Sequence, residues 1–186
     1  MEIQPKLPTT KGPSETFVGD VWLDMIAEGD LPSRIRVAIV RFAPGARNAW
    51  HRHANGQTLH VTEGRGLVQA RGADVTEIGA GDTIYTPPGE WHWHGAAPDH
   101  FMTHISITEG LSEGQQGPET EWGDHIPDAE YGSNKELQHA RSDPVRPGGC
   151  ALRGARRPDD HGASRRHRAR CGDLRVRVRP VALSRY

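Results

Sequence analysis

Two stretches of the 186-residue sequence concentrate groups able to do chemistry. The first is Gly45-Ala46-Arg47-Asn48-Ala49-Trp50-His51-Arg52-His53-Ala54-Asn55-Gly56-Gln57, running on to Gly64. The second is Gly81-Asp82-Thr83-Ile84-Tyr85-Thr86-Pro87-Pro88-Gly89-Glu90-Trp91-His92-Trp93-His94. Residues i and i+2 of a strand face the same side, so His51 and His53 point together. Asn55-Gly56 is a strong turn pair, and a turn there folds Gln57 back beside the imidazoles. His92 follows a Pro-Gly turn and is placed to supply a third imidazole from another strand. Three neutral ring nitrogens and one amide oxygen form a donor set for a divalent transition metal with positions left open. Such a set holds Ni, Cu and Zn more tightly than Mn or Fe, so it does not itself choose the ion.

The elements that must position these groups read as short strands separated by turns. Ile35–Phe42 is rich in β-branched residues and ends at Pro44-Gly45; Thr58–Glu63 stops at Gly64; Leu67–Ala70 stops at Gly72; Asp82–Tyr85 stops at Pro87-Pro88-Gly89; Phe101–Ile107 is another strand. This spacing predicts an all-β sandwich or barrel. Only Val21–Ala27 and Pro127–Tyr131 have helix-compatible patterns. The 22 Gly and 14 Pro argue against a helical bundle. No apolar run of about 18 residues exists to span a membrane, and no apolar segment resembling a secretory leader follows Met1. With two cysteines a disulfide framework is not expected, and the cytoplasm is the expected location.

The formal net charge of −1 averages two unlike segments. Residues 1–132 carry 9 Lys+Arg against 19 Asp+Glu, a net of −10, and 10 of the 11 aromatic residues. Residues 133–186 carry 14 against 5, a net of +9, with 13 of the 14 cations Arg. A segment so charged and poor in aromatics buries too little apolar surface to offset its ordering entropy. The expected organisation is a flexible arm over 1–14, one folded domain over 15–132, and a disordered basic tail over 133–186. The tail's Arg runs, Arg153–Arg157 and Arg165–Arg170, could touch phosphates but lack an aromatic platform, so no specific nucleic-acid partner is expected. Cys150, His161, His167 and Cys171 follow no compact zinc spacing. The abrupt Arg-rich usage also fits a read-through or frame-shifted extension never selected to fold.

The spacing G-x5-H-x-H-x3-Q-x6-G from Gly45 to Gly64 resembles the first motif of the cupin superfamily, with Gln57 where many members carry Glu. The spacing G-x5-P-x-G-x2-H from Gly81 to His92 resembles the second, although Ala96 stands where Asn is common. The resemblance implies a small antiparallel double-sheet β-barrel (a jelly roll) with a metal inside. A narrower likeness rests on Gln57, on His92-Trp93-His94-Gly95-Ala96-Ala97-Pro98 and on Met102-Thr103-His104. These resemble the manganese-dependent bacterial cupin hydroxynitrile lyases. That likeness implies His51, His53, Gln57 and His92 as metal ligands, and places His94 and His104 in the cavity with His104 as base. It implies Mn as the ion, with Fe, Ni or Zn as alternatives, a small-molecule substrate, and a homo-oligomer, dimer or tetramer.

Each residue also has a purely structural reading. His51, His53 and His92 could be sheet histidines, though their joint spacing argues against it. Gln57 could hydrogen-bond a ligand rather than be one. His94 shares the face of His92 by parity and could orient water instead of moving a proton; His104 could be a satisfied core histidine. His60 has the opposite parity to Gln57 and should face away from the metal, and Arg52 should point outward. Trp50, Trp91 and Trp93 are expected to pack rather than touch substrate. A Gln in place of a Glu ligand leaves the site more positive, hence a stronger Lewis acid toward a hydroxyl or carbonyl oxygen. The leading expectation is a metal-dependent lyase cleaving a small cyanohydrin to aldehyde and cyanide. The alternatives are an Fe-dependent dioxygenase and a non-enzymatic small-molecule-binding barrel.

Overall fold

The computed structural model describes residues 1–132. The basic segment 133–186, with its Arg runs and its Cys/His spacing, lies outside the described residues. Twelve strands and one short helix make up the described part. In chain order the strands are β1 (Thr10–Lys11), β2 (Phe17–Val18), β3 (Val21–Glu28), β4 (Ile35–Phe42), β5 (Arg47–Asn48) and β6 (His51–His53). They continue with β7 (Gln57–Ala70), β8 (Thr76–Gly79), β9 (Thr83–Thr86), β10 (His92–Ala96), β11 (Met102–Glu109) and β12 (Thr120–Trp122), and the helix is α1 (Asp128–Gly132). None of the described helices is long and apolar enough to cross a membrane.

The all-β expectation holds, and every strand pair is antiparallel. Strand order runs β1-β3-β4-β11-β7-β10-β5-β2, with β8 and β9 on β7, β6 on β10 and β12 on β6. The sheet curls because β7 serves both faces. Its first half pairs with β11 and β9, and its second half with β10 and β8. The changeover falls at Gly64, whose φ is +79°, and a Cβ there would lie 2.0 Å from the Phe101 carbonyl oxygen. Gly64 therefore bends one strand rather than ending it, and the two strands expected over 58–63 and 67–70 are one.

Val21–Ala27, given a helix-compatible reading above, is strand. Leu, Met and Ala suit a helix, but β3 is sandwiched between β1 and the β-branched β4, with a register shift between Met25 and Ala27. Cross-strand pairing outweighs so short a local preference. The expected helix near residues 127–131 is present as α1. Within the segment read as an arm, Thr10 and Lys11 pair with Leu23 and Trp22.

Two apolar clusters hold the walls. Val21, Val40, Phe42, Val61, Ile78 and Met102 meet between the faces. Leu67, Trp93, Ile126 and Tyr131 form a second cluster. The chain end of the described part is clasped to β5: Arg47, 4% exposed, donates from Nε and Nη2 to the Ile126 carbonyl (3.2 and 2.8 Å) and pairs with Asp128. Its guanidinium lies 4.5 Å from the Tyr131 ring, and the Tyr131 hydroxyl donates to the Ala96 carbonyl.

Candidate metal centre

Alternation on β6 points His51 and His53 inward, at 2% and 9% exposure. Arg52 between them faces out to Glu121 (2.6 Å) and over the Trp91 ring, as its parity requires. β10 lies beside β6 with His92 in register with His51, which brings their rings to 4.2 Å. One ring nitrogen from each of His51, His53 and His92 lies within 4.8 Å of the others, near enough for one ion to take all three. Gln57 opens β7 directly after the turn, and its Oε1 is 2.9 Å from His92 Nε2. The Gln57 amide nitrogen donates to Ser106 Oγ at 2.9 Å, which fixes which end of the amide faces the histidines.

The outer nitrogens are spoken for. His51 Nδ1 donates to the Ala49 carbonyl and His92 Nδ1 to the Glu90 carbonyl, both at 3.0 Å, and His53 Nδ1 meets Thr120 Oγ1 at 3.0 Å. A neutral imidazole with its proton on Nδ1 presents a lone pair at Nε2. Burial is the largest cause depressing the basicity of all three rings, and neighbouring histidines add to it for His51 and His53; the pKa of His53 falls to about 4. All three are therefore neutral near pH 7. Among the described residues His53 Nε2 is buried with no partner in hydrogen-bond geometry, and the Nε2 lone pair of His92 faces the lone pairs of Gln57 Oε1. Acceptors that converge without donors are costly unless a cation joins them, so these four residues fit a divalent metal. Were the His92 proton on Nε2 instead, this same contact would be the hydrogen bond to a ligand considered as the second role of Gln57.

Beside this cluster is a cavity of about 220 Å³. His94 and His104 both line it, with ring centroids 4.9 Å apart, together with Asn48, Ser106 and Thr120. Leu23, Val40, Phe42 and Trp122 supply apolar wall. His104 is fully buried; the Ile105 backbone lies near it, but among the described residues neither ring nitrogen has a partner in hydrogen-bond geometry, which counts against the satisfied-core reading. Burial pulls its pKa to about 4 and holds His94 well below the usual imidazole range. His60 lies off the site and bonds Thr83 Oγ1. Trp93 is core, while Trp50 and Trp91 sandwich the Arg71 guanidinium at 5.0 and 4.7 Å, so none of the three lines the cavity.

Sequence reasoning missed three residues here. Thr120 and Trp122 sit on β12, where Trp122 stacks on His51 at 4.9 Å. Asn48 sits on β5, where its Oδ1 accepts from the His94 backbone N–H at 2.9 Å. Its only sequence signal was a buried-type polar residue at odd spacing before His51.

The cupin domain family model matches residues 38–105. A curated relative, the (R)-mandelonitrile lyase of Granulicella tundricola, is 46% identical over 121 residues, covering 65% of this chain and 89% of the relative. A crystallised cupin-like protein from Thermotoga maritima superposes with a TM-score of 0.60 at 37% identity, covering 72% of this chain and 96% of the other. A cupin-2 domain protein from Rhodospirillum rubrum gives 0.50 at 19% identity, covering 63% and 81%, a likeness of fold alone. Paired histidine motifs, a curled antiparallel sheet and a relative of nearly equal domain length agree: the chain belongs to the cupin superfamily.

Proposed function

We propose that the protein is a metal-dependent lyase that cleaves a small cyanohydrin to an aldehyde and hydrogen cyanide. The observation that carries the reading is His104, buried beside the donor cluster with both ring nitrogens unsatisfied among the described residues, in a chain 46% identical over 121 residues to a mandelonitrile lyase. His51, His53 and His92 through Nε2 and Gln57 through Oε1 would hold the ion. The bound ion supplies Lewis acidity, raising the acidity of a hydroxyl so that even a weakly basic imidazole can take its proton. Manganese is the proposed ion, a homo-oligomer the proposed assembly, and the cytoplasm the proposed location.

The residues then divide the work. His104, neutral because it is buried, accepts the hydroxyl proton. The oxygen's electron pair closes the carbonyl, the carbon–carbon bond breaks, and its pair leaves on the cyanide carbon. The His104 imidazolium returns the proton to cyanide, so the cycle is redox-neutral and His104 ends as it began. Phe42, Val40, Leu23 and Trp122 exclude water and receive the apolar part of the substrate. Metal analysis followed by a mandelonitrile cleavage assay on the same sample tests the reading. Benzaldehyde and cyanide released in proportion to bound metal support it. Absence of cyanide release from fully loaded protein refutes it, and oxygen uptake with Fe(II) alone would favour the dioxygenase alternative.

A further inference from the structure

We infer that Arg36 is a specificity-determining residue, and that the substrate this site selects carries a carboxylate remote from its reacting carbon. The inference names the substrate class of the proposed lyase site and rests on that reading for its kinetic consequence. Alternation on β4 puts Arg36, Ala38, Val40 and Phe42 on its inward face, and all four line the cavity. Among the described residues, Arg36 is the one Lys, Arg, Asp or Glu in that lining. A largely apolar cavity with one cation and no carboxylate fits a ligand that is apolar with one anionic end.

Register places the cation. Arg36 lies opposite Thr108 on β11, and Thr108 opposite Gln57 on β7. Two strand spacings, about 10 Å, therefore separate the Arg36 and Gln57 backbones at one level of the curled sheet. One aromatic ring is of a length to bridge that gap. The Arg36 head reaches Glu119, the neighbour of Thr120, which bonds His53. Arg36 also lines a surface pocket with Gly110 and Glu119, so it lies where the cavity meets solvent. A ligand carboxylate held there keeps much of its hydration while the rest of the ligand is buried.

The present partners of Arg36 are held loosely. Nη1 donates to the Gly29 and Ile35 carbonyls at 3.3 and 3.4 Å, Nη2 to Glu119 Oε1 at 3.4 Å, and Nε is 3.7 Å from Glu28 Oε1. Charge-assisted hydrogen bonds normally run at about 2.7–2.9 Å. The Arg41–Asp24 and Arg52–Glu121 pairs of this chain reach 2.7 and 2.6 Å. Both carboxylates beside Arg36 are more exposed than the guanidinium they face, at 64% and 43% against 25%. A ligand carboxylate approaching from the cavity can therefore take the guanidinium fork in place of Glu119.

Calorimetric binding of 4-formylbenzoate and benzaldehyde to Zn-loaded protein tests this without turnover, since neither reacts in the absence of cyanide. The wild type should bind 4-formylbenzoate about tenfold or more tighter than benzaldehyde, and Arg36→Gln should bring the two within about twofold. Glu119→Gln removes the competing carboxylate and should tighten 4-formylbenzoate by about threefold or more without tightening benzaldehyde. A purely structural clasp would not produce that gain. With Mn-loaded enzyme, kcat/KM for the cyanohydrin of 4-formylbenzoate relative to mandelonitrile should fall in R36Q by the same factor as the binding ratio. Equal binding of both aldehydes by the wild type overturns the inference, as does a preference that survives R36Q. Should R36Q not fold, an unchanged 4-formylbenzoate affinity in E119Q overturns it. If the wild type cleaves neither cyanohydrin, the lyase reading fails alone, and the binding ratios still decide the role of Arg36.

Discussion

Acid should weaken this fold through His104 by an amount that can be worked out. The ring is fully buried, has no partner in hydrogen-bond geometry among the described residues, and is held to a pKa of about 4 by burial, which outweighs the nearby Ile105 backbone, against 6.5 in the unfolded chain. Between those values the unfolded chain binds a proton that the folded chain refuses, so stability falls as pH drops below 6.5 and stops falling through His104 below about 4. The gap between 6.5 and about 4 corresponds to about 3 kcal/mol at full depth, most of which appears between pH 7.5 and 4.5. His53 and the other buried imidazoles shift in the same direction, so a wild-type curve alone sums them. The assay is therefore a double difference: guanidinium unfolding of wild type and His104→Leu at both pH values, in excess chelator so that metal release does not contribute. Leucine removes two unpartnered polar atoms, so the variant should match or exceed the wild type at pH 7.5 while losing cleavage activity. Its advantage should grow by roughly 2–3 kcal/mol at pH 4.5. A growth of less than about 1 kcal/mol would refute the claim that the fold holds His104 neutral by burial.

Chelation of loaded protein at pH 7 should lower the unfolding temperature, because converging acceptors lose their cation; at metal a hundredfold above Kd the loss is about 2.7 kcal/mol, read by calorimetry with and without EDTA. Gln57→Glu adds a charge next to the ion, so metal affinity measured by competition should rise by roughly 1–4 kcal/mol while kcat falls as Lewis acidity drops. Arg47→Met should cost about 2–4 kcal/mol in chemical denaturation, since the buried Ile126 carbonyl loses both its donors. Gly95→Ala should cost about 1–3 kcal/mol in chemical denaturation by forcing β5 off β10.

What the sequence made legible and what it hid divide along the range of the contacts. His51, His53 and His92 were readable because alternation on one strand and a turn before another are local facts, and Gln57 followed from the Asn55-Gly56 turn. Their convergence needed only that β6 and β10 be neighbours, which the motif pair implied. Val21–Ala27 was ambiguous because its side chains tolerate either conformation and the decision came from β4, whose paired residues lie 10 to 21 positions on. Gly64 looked like a stop because glycine punctuates most strands. What made it a bend was the Phe101 carbonyl pressed against it from β11's approach, a contact no local pattern carries. Asn48, Thr120 and Trp122 were hidden for the same reason. Strands of two and three residues have almost no periodicity, and their registers are set by partners 46 to 71 residues away in the cases of Asn48 with His94 and Trp122 with His51.

Those short strands are also where stability and chemistry meet. Arg47 and Asn48 are consecutive on β5 and so face opposite sides. Arg47 reaches outward to Ile126, Asp128 and the Tyr131 ring, while Asn48 reaches inward to His94. β12 does the same from the other end of that segment, with Thr120 on His53, Trp122 on His51 and Glu121 between them turned out to Arg52. The stretch from 120 to 131 is therefore more than a closing edge of the barrel. Its outward contacts fix the height of β5 and β6, and their inward neighbours fix the orientation of His51, His53 and His94. Residues 120–131 thereby join the closing edge of the barrel to the metal centre: His53 Nδ1 meets Thr120 Oγ1, and Arg47, next to Asn48, is held by Ile126 and Asp128.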